Sequence, residues 1–414
     1  MQLSPHRLHS NWNTRTQRPA MTESAILPKV ERTKTIPPIH RWLSIDVLRG
    51  LTIGFMIMVN NNGGGKDAYW AMKHTAWNGF TPTDLVFPTF LFVVGISTVF
   101  STEARLAKGA TRKSLLLHTF RRATILFLLG LLVNSFPLFH RHTLRIYGVL
   151  PRIALCYFLV AIFYLTRPSW KTIVALAAAA LVGYWAIMRF VPVPGYGVPT
   201  HGVPLLDQSG NLTAWLDRQI FPASHLYERT RDPEGLLSTL PALGTTLLGM
   251  LTALWLRSTR SIAEKARGIA FAGFTGLFLA GLWNLSFPVN KNLWTSSYVL
   301  YAAGWSLLLL AISIWLVDIR GTRKTDAATR KTFTPLLVFG TNAIAAYVFS
   351  ELLPGALNLY HPIFRNPLTH RFYLRILHVI PCAPIASMVY CIAFVTVCWL
   401  AIYPLYRRRI FLKI

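Results

Sequence analysis

The residues best suited to chemistry lie in one polar segment between two apolar stretches, and His74 stands near its middle. Trp77, Asn78 and Asp84 follow His74 closely. The histidine ring titrates near neutral pH, so it can take and return a proton or carry an acyl group during its transfer. A lone histidine is more often structural than catalytic, but the polar residues around His74 favour a reactive site.

A run of asparagines and glycines, from Asn60 to Gly65, ends the first apolar stretch just before this histidine. Such a run is a poor helix former, and it exposes N–H groups and side-chain amides that could stabilise an acyl oxygen. Asn60 is the nearest candidate for that role, although the run alone also fits an ordinary loop. Trp77, with Trp70 and Tyr69, could stack on a sugar ring or belong to the aromatic belt at a membrane surface.

Several arginines lie within or at the ends of later apolar stretches, where an unpaired charge is costly. Arg152 lies several residues inside one stretch, with Arg145 before it, and Arg121 and Arg122 open another. Together they could bind the phosphates of an anionic ligand inside a helix bundle. The alternative is that the terminal arginines extend to the lipid headgroups.

The composition is that of a membrane protein. Of 414 residues, 53% are hydrophobic and only 14% are charged, whereas about 25% are charged in soluble domains. The formal net charge of +27 comes from basic residues scattered between apolar stretches, which argues against a nucleic-acid-binding surface. The four cysteines show neither a CxxC motif nor metal-ligand spacing, so we predict no disulfide and no metal.

A helix of about twenty apolar residues crosses a bilayer, and stretches of this length divide the chain into ten predicted spans. We therefore predict an all-α polytopic membrane protein with about ten transmembrane helices. The predicted spans cover residues 43–60, 84–101, 119–137, 146–166, 172–191, 236–256, 267–287, 297–317, 333–353 and 380–404.

Lysine and arginine concentrate in alternate connections between the spans, and such residues remain on the cytoplasmic side. Both termini are therefore predicted to be cytoplasmic, while the connections at 61–83, 288–296 and 354–379 face outward. The outward segment at 192–235 is rich in Pro and Gly with apolar residues between them, which predicts a folded cap over a site.

Residues 41–405 are predicted to form a single membrane domain, with basic cytoplasmic tails at 1–40 and 406–414. The first tail lacks apolar periodicity, so it is predicted to be disordered, and Met21 is a plausible alternative start. This tail also shows no apolar segment typical of a cleaved signal peptide.

Five stretches of the chain, in the same order, carry motifs of one known family. They are VNNNGGGKDAYWAMKHTAWNGFTPTDLVFPTFLFVVG, RIYGVLPRIALCY, VPGYGVP with HLYERTRDPEGLLSTLPALGTTLLG, FPVNKNLWTSSYVL, and FTPLLVFGTNAIAAYVFSEL. Together they resemble the catalytic domain of the heparan-α-glucosaminide N-acetyltransferases, bacterial relatives included. The resemblance extends over roughly residues 41–405.

The resemblance implies an enzyme that takes acetyl from cytosolic acetyl-CoA and delivers it to an amino sugar or other glycan across the membrane. It assigns the catalytic role to His74, the role of its partner to Asn60 and a CoA-binding role to Arg152. From their charge we add Arg121 and Arg122 as further predicted CoA ligands. The predicted acceptor-binding residues are Trp77, Asn78, Asp84, Asn290, Lys291, Asn292 and Trp294.

Two departures from the family pattern leave alternatives open. The loop before His74 is longer than in the animal enzymes, so Asn61 and Asn62 compete with Asn60 for the amide role. Pro151 stands where the family has Gln, which removes a side-chain donor and a backbone N–H. The acceptor also stays open, as does the choice between a general base and an acyl carrier for the histidine.

An amino-sugar transporter is the main alternative, because ten spans with internal charges also fit a carrier. The asymmetric outer loop with His74, next to a long cap, favours the enzyme. In either case we expect the protein to lie in the inner membrane with His74 on the periplasmic side, and a homodimer is compatible with the sequence.

Overall fold

A computed structural model describes residues 42–137, 143–199, 205, 207–321, 326–359 and 367–412. Over these residues the chain forms thirteen α-helices and no β-strand. The predicted tail at 1–40 lies outside the described residues. The helices are α1 (Leu43–Asn60), α2 (Val86–Leu106), α3 (Arg112–Ser135), α4 (Val149–Leu165), α5 (Trp170–Phe190), α6 (Leu212–Ile220), α7 (Thr239–Leu256), α8 (Ile262–Asn284), α9 (Ser296–Ile314), α10 (Asp326–Thr341), α11 (Ala343–Asn358), α12 (Leu368–Val379) and α13 (Ala383–Arg407).

Each of the ten predicted spans falls on a helix, and the all-α membrane fold is confirmed. In the described part of the chain, eight helical segments are long and apolar enough to cross a bilayer. The helix α4 is apolar but shorter, at 17 residues. The pair α10 and α11 passes the same test only when the two helices are taken together.

The span predicted at 333–353 is interrupted. The helices α10 and α11 meet at Asn342 with a bend of 69°. Asn342 has a φ of −126° and a ψ of 41°, outside the helical region, and its carbonyl accepts the first hydrogen bond of α11 from Ala346. Gly340 and Asn342 are poor helix formers, which favours a break at this point. The Asn342 side chain does not cap α11; its Oδ1 accepts the N–H of Leu412 instead.

Glycines allow two helix pairs to approach closely. Gly50 of α1 faces the backbone of α10 at Leu336, and Gly340 of α10 faces the backbone of α1 at Asp46. A side chain at either glycine would overlap the opposite backbone. The helices α2 and α7 meet in the same way at Gly95. Small residues permit such contacts in membranes, where packing rather than the hydrophobic effect joins helices.

One face of α8 is suited to contact lipid. Phe271, Phe274, Phe278 and Leu282 follow helical spacing and are each more than half exposed. An exposed apolar surface of this kind is unfavourable in water but is stable in contact with the hydrocarbon of a bilayer. The helix therefore lies at the periphery of the bundle.

The two ends of the helix bundle carry different structural features. Trp42, just before α1, and Leu412, just after α13, line the same cavity, and we call this the tail end. The helix α1 finishes at Asn60 on the opposite side, where the loop with His74 follows, and we call this the His74 end. The charge pattern predicts that the tail end faces the cytoplasm.

The segment predicted as a cap packs on the His74 end. Within residues 192–235, Val193 and Leu212 join an apolar cluster with Tyr184 of α5 and Leu293 of the α8–α9 connection. The hydroxyl of Tyr184 donates to the carbonyl of Leu293 at 2.5 Å. The cap and this connection therefore form one packed layer over the ends of the helices.

Candidate active site

His74 and Asp84 form the central pair of the site. The Nδ1 atom of His74 lies 2.7 Å from Oδ1 of Asp84. The Asp84 side chain is fully buried, whereas 51% of the His74 side chain is exposed. When a carboxylate accepts Nδ1–H in this way, the lone pair on Nε2 is left free for chemistry. The pair can therefore take a proton, or receive an acyl group, at Nε2.

Asp84 is fixed by the turn that precedes α2. Its Oδ2 accepts hydrogen bonds from the N–H groups of Thr81 at 3.0 Å and Thr75 at 3.2 Å, and from the Thr81 hydroxyl at 3.0 Å. Tyr298 donates its hydroxyl to the Asp84 carbonyl at 2.7 Å. Thr81 and Asp84 also form a reciprocal capping box around the 3₁₀ turn Pro82–Leu85. The Thr-x-x-Asp pattern before an apolar run signals such a box, and it could have marked Asp84 as a positioning residue.

Lys291 brings a cation to the same pair. Its Nζ lies 2.9 Å from Nδ1 and 3.2 Å from Nε2 of His74, and 3.6 Å from Oδ1 of Asp84. Burial lowers the pKa of Lys291, and the carboxylates of Asp84 and Glu234 oppose that shift. An ammonium group at this position can stabilise negative charge that develops beside Nε2.

A rigid turn between α8 and α9 carries Lys291. Asn290 is fully buried, and its Oδ1 accepts the N–H of Leu293 at 2.9 Å while its Nδ2 donates to Oδ1 of Asn78 at 3.0 Å. Trp294, at the end of the turn, has a positive φ of 51° and is also buried. The hydrogen bond to Asn78 connects this turn directly to the loop of His74.

The predicted acceptor residues divide into two groups by exposure, and their acceptor role stays a prediction. The buried group comprises Asp84, Asn290 and Trp294. The exposed or half-buried group comprises Trp77, Asn78, Lys291 and Asn292. The second group offers side-chain surface to a ligand, whereas the first group holds the loops together.

Asn60, the predicted partner of His74, donates its side-chain amide to Oε1 of Glu351 on α11 at 2.8 Å. The amides of the competing candidates, Asn61 and Asn62, both donate to backbone carbonyls. Asn60 is also exposed, so its amide is open to a ligand. The role of Asn60 with an acyl oxygen stays a prediction. Its hydrogen-bond partner, Glu351, was not among the predicted site residues.

Arg152, predicted to bind CoA, lies in the first turn of α4 at the His74 end. Its Nη2 donates to the carbonyl of Gly235 at 2.9 Å and to the hydroxyl of Ser238, and the residue is only 2% exposed. Its guanidinium carbon lies 5.1 Å from the ring centre of Trp294. These contacts connect α4 to the end of the cap and to the turn that carries Lys291. Arg152 therefore helps to hold these two segments in place.

Acidic residues of the cap, which sequence reasoning missed, bind a second arginine. Arg145 donates to both carboxylate oxygens of Asp232, at 2.8 and 2.7 Å, and also to Glu234. Burial raises the pKa of Glu234, but the nearby cations, Arg145 first, lower it overall. The guanidinium of Arg231 lies 4.5 Å from the ring centre of Trp77. Three of these residues belong to the run RDPEG. This cluster of charged residues in an otherwise apolar cap could have indicated buried ion pairs.

Asp217 on α6 is a further buried carboxyl group in the cap. Its Oδ1 accepts the N–H of Leu236 at 3.0 Å, and its side chain is fully buried. Burial raises the pKa of Asp217 to about 7, and the carboxylate of Asp232 adds to this shift while Arg152 opposes it. The group therefore changes its charge near neutral pH.

The tail end contains a cavity of about 560 Å³, a volume typical of small-molecule sites. Four basic side chains line it, those of Arg49, Arg105, His118 and Arg122. The guanidinium of Arg122 lies over a tyrosine ring, and its Nε is buried without a hydrogen-bond partner in the described part of the chain. Arg121, the neighbouring prediction, is exposed and does not line the cavity.

An apolar constriction lies between this cavity and the His74 end. Phe90, Ile153 and Ile344 line both the cavity and a small void of about 10 Å³. Tyr347 of α11, one turn before Glu351, also lines the void, as do Val149 and Leu150 at the His74 end of α4. The void therefore lies beside the cavity on the side of the His74 end, and we call this apolar region the neck.

The sequence family described as heparan-alpha-glucosaminide N-acetyltransferase, catalytic, matches residues 41–287. This match covers more than half of the chain. The chain belongs to this family. The matched range includes His74, Asp84 and Arg152, as well as the cap.

Two curated relatives carry the name of the family. The chain is 28% identical to heparan-alpha-glucosaminide N-acetyltransferase of Homo sapiens, over 94% of this chain and 62% of that protein. It is 29% identical to the protein of the same name of Mus musculus, over 91% of this chain and 61% of that protein. The chain thus spans about three fifths of the length of these relatives.

Proposed function

We propose that this protein is a membrane acyltransferase that moves acetyl from acetyl-CoA, bound at the tail end, to an amino sugar or other glycan at the His74 end. The observation that carries the proposal is that the bundle has a basic cavity of about 560 Å³ at one end and the His74–Asp84 pair at the other. The apolar void shares Phe90, Ile153 and Ile344 with the cavity, and we infer that a passage opens there toward the His74 end. Membership of an N-acetyltransferase family supports the same reaction class.

The chemical groups of acetyl-CoA match the residues that line the tail-end cavity. The 3′-phosphate and diphosphate of CoA need cations, and Arg105 and Arg122 offer guanidinium groups in the cavity. The slender pantetheine arm with its thioester can enter an apolar neck that a nucleotide cannot. The neck side chains, including Phe90 and Ile153, would have to part for the arm. Arg152 lies beyond the neck and is engaged by the cap, so we assign it to positioning the site rather than to the phosphates.

In direct transfer, the acceptor nitrogen attacks the thioester carbonyl carbon while His74 Nε2 takes a proton from that nitrogen. A C–N bond forms, the C–S bond breaks, and the proton passes to the departing CoA thiolate, which leaves as the thiol. The Asp84 carboxylate stabilises the imidazolium through Nδ1–H. Lys291, 3.2 Å from Nε2, stabilises the oxyanion of the tetrahedral intermediate.

In the alternative route, Nε2 attacks the thioester carbonyl carbon, the C–S bond breaks, and CoA leaves as the thiolate while the acetyl group rests on His74. The acceptor nitrogen then attacks the acetyl carbon, the bond from Nε2 to acetyl breaks, and the proton lost by the acceptor passes through Nε2 to the thiolate. The same residues serve both routes. The two differ in one observable: only the second route puts acetyl on the protein when no acceptor is present.

The test is CoA release by purified protein with acetyl-CoA and a panel of amino sugars, with His74→Ala as the blank. We expect acceptor-dependent release that falls by about 10²–10⁴-fold in the variant, the range for loss of a general acid–base group. Radiolabelled acetyl-CoA without acceptor then separates the two routes. Release that is equal in wild type and His74→Ala would remove the histidine from the mechanism.

An amino-sugar carrier is the second candidate, and the bent pair α10–α11 favours it, because broken helices are common in transporters. A carrier would take labelled sugar into liposomes without acetyl-CoA and would tolerate His74→Ala. An acyltransferase would show no such uptake, and it would need the histidine.

A further inference from the structure

The end of α13 turns the chain back toward the bundle. Arg409 adopts the left-handed conformation with a φ of 56°. The N–H of Ile410 donates to the carbonyl of Leu405 at 2.9 Å, and the N–H of Arg409 donates to Tyr406 at 3.0 Å. These two bonds make a Schellman motif, which reverses chain direction at a helix end. Glycine usually holds the left-handed position, so an arginine there is a conformational departure that the surrounding contacts must stabilise.

After this turn the chain reaches the mouth of the tail-end cavity. The N–H of Leu412 donates to Oδ1 of Asn342 at 3.0 Å, and Asn342 stands at the break between α10 and α11. Phe411 and Leu412 both line the cavity. The segment Arg407–Leu412, which we call the strap, is therefore a wall of the cavity rather than a free tail.

The strap also carries cations. Arg407, Arg408 and Arg409 follow one another at its start, and all three are exposed. None of them takes part in an ion pair among those found in the described residues. Inside the cavity, by contrast, Arg49 is already engaged, because it donates to Asp46, Ser97 and the carbonyl of Gly340.

A long anionic ligand could therefore be bound by two parts of the protein, the tail-end cavity and the strap. The cavity offers apolar walls and the guanidinium groups of Arg105 and Arg122, while the strap carries three exposed guanidinium groups just before Phe411 and Leu412, which line the cavity. A nucleotide that carries both a diphosphate and a 3′-phosphate has enough anionic groups for both sets, with its uncharged arm inside the cavity.

We propose that the strap is a binding element of the donor site: Phe411 and Leu412 cover the ligand at the cavity mouth, and Arg407–Arg409 bind its phosphates. The inference rests on the proposed function, because it takes the cavity as the donor site. The hydrogen bond from Leu412 to Asn342 sets where the strap lies, so the break in the α10–α11 span serves as its dock.

The key experiment compares two substitutions that remove the same charge. Arg409→Gly keeps the left-handed turn at no steric cost, whereas Arg409→Ile opposes it, because a β-branched residue disfavours positive φ. Dissociation constants are measured on the purified full chain for CoA, for dephospho-CoA and for pantetheine. We expect Arg409→Ile to bind CoA at least 5-fold more weakly than Arg409→Gly.

Two further variants test the cations separately from the turn. The double substitution Arg407→Gln with Arg408→Gln should weaken the binding of CoA about 10-fold or more, since hydrogen bonds between charged groups are stronger than neutral ones. It should leave the binding of pantetheine, which has neither the diphosphate nor the 3′-phosphate, nearly unchanged. Arg267→Gln is the matched control, because Arg267 is an exposed arginine of α8 that does not line the cavity.

The outcomes separate the two proposals. If wild type binds CoA and all strap variants bind it equally well, the strap is not part of the site, and the proposed function stands. If CoA and pantetheine weaken by the same factor in the double variant, the arginines do not bind phosphates, and that assignment fails. If wild type binds no CoA at all, the donor site itself is refuted and the strap inference falls with it.

Discussion

The residues that we assign to the reaction at the His74 end and those that we assign to the donor at the tail end are held in different ways. At the His74 end, His74, Asp84 and Lys291 contact one another, and Arg145 forms ion pairs with acidic residues of the cap. At the tail end, Arg105 and Arg122 face a cavity of about 560 Å³. The first arrangement is set before any ligand arrives, as a reacting centre requires. The second leaves donors available, as a binding site for an anion requires.

The largest effect that would test this contrast is on Asp84. Asp84→Asn should lower acetyl transfer by about 10²–10⁴-fold, because the neutral amide does not stabilise the imidazolium and its NH2 group can donate to Nδ1, which places the His74 proton on Nε2. Steady-state CoA release measures the loss. Asp84→Glu should recover part of it and shift the pH profile of the rate, which a purely structural role would not do.

Asp67→Asn serves as the control, since Asp67 is an exposed carboxylate in the same loop. Equal rates for wild type and Asp84→Asn would contradict a preset reacting centre at this end.

The second effect is on the stability of the cap. Arg145→Met should lower the free energy of unfolding by about 3–5 kcal/mol, because it leaves the fully buried carboxylate of Asp232 without its partner. Thermal unfolding in detergent measures this change. Arg375→Met, at an exposed arginine of α12, should have little effect. A Tm for Arg145→Met equal to that of the control would show that the ion pair contributes nothing.

The third effect distinguishes two adjacent arginines of α3. Arg122→Gln should raise the KM for acetyl-CoA about 10–100-fold with little change in kcat, because a charged hydrogen bond to phosphate contributes about 1.5–3 kcal/mol. Arg121→Gln should leave the KM near that of wild type, since Arg121 is exposed and lies off the cavity. Equal effects at both positions would argue against this cavity as the donor site.

The fourth effect, spread over several pH units, is a pH dependence from Asp217. Its folded pKa is about 7 against an ordinary value of 3.8, so between these values the folded state binds a proton that the unfolded state has lost. The free energy of unfolding therefore falls as pH rises through this window, by up to about 1.4 kcal/mol per pH unit, and levels off above it.

Asp217→Asn should remove this slope. Thermal unfolding of both proteins at pH 5, 6, 7 and 8 measures the difference, which should grow up to about pH 7 and then stay constant. A gap that narrows with rising pH would reverse the assigned sign.

The sequence was sufficient to predict where the helices lie, but not which residues contact one another across the bundle. Apolar length placed a helix at each predicted span, because a bilayer demands continuous backbone hydrogen bonding. The break at Asn342 was missed, because the poor helix formers Gly340 and Asn342 do not stand out within a long apolar run, and the contact of Asn342 with Leu412 joins distant parts of the chain. The short span α4 was still found, because it is apolar throughout.

The site shows the same limit more sharply. His74 could be singled out from its neighbours, but its contact with Lys291 joins residues far apart in the chain, which spacing alone does not predict. Arg152 and Arg122 look alike as arginines within spans. Their difference depends on which end of a helix each occupies and on the cap residues, such as Gly235, that meet one of them. Pairing across the bundle is a property of the packed structure.

The apolar neck has a consequence for the cell as well as for the reaction. A protein with a polar opening at each end risks letting protons and ions flow down the membrane potential. The void at the neck, about 10 Å³ and walled by residues such as Phe87 and Ile153, holds at most about one water molecule and offers it no polar partner. A passage this narrow and apolar stays dry, so it blocks ionic current. The neck would thus keep the membrane sealed while allowing a single acetyl group to cross it.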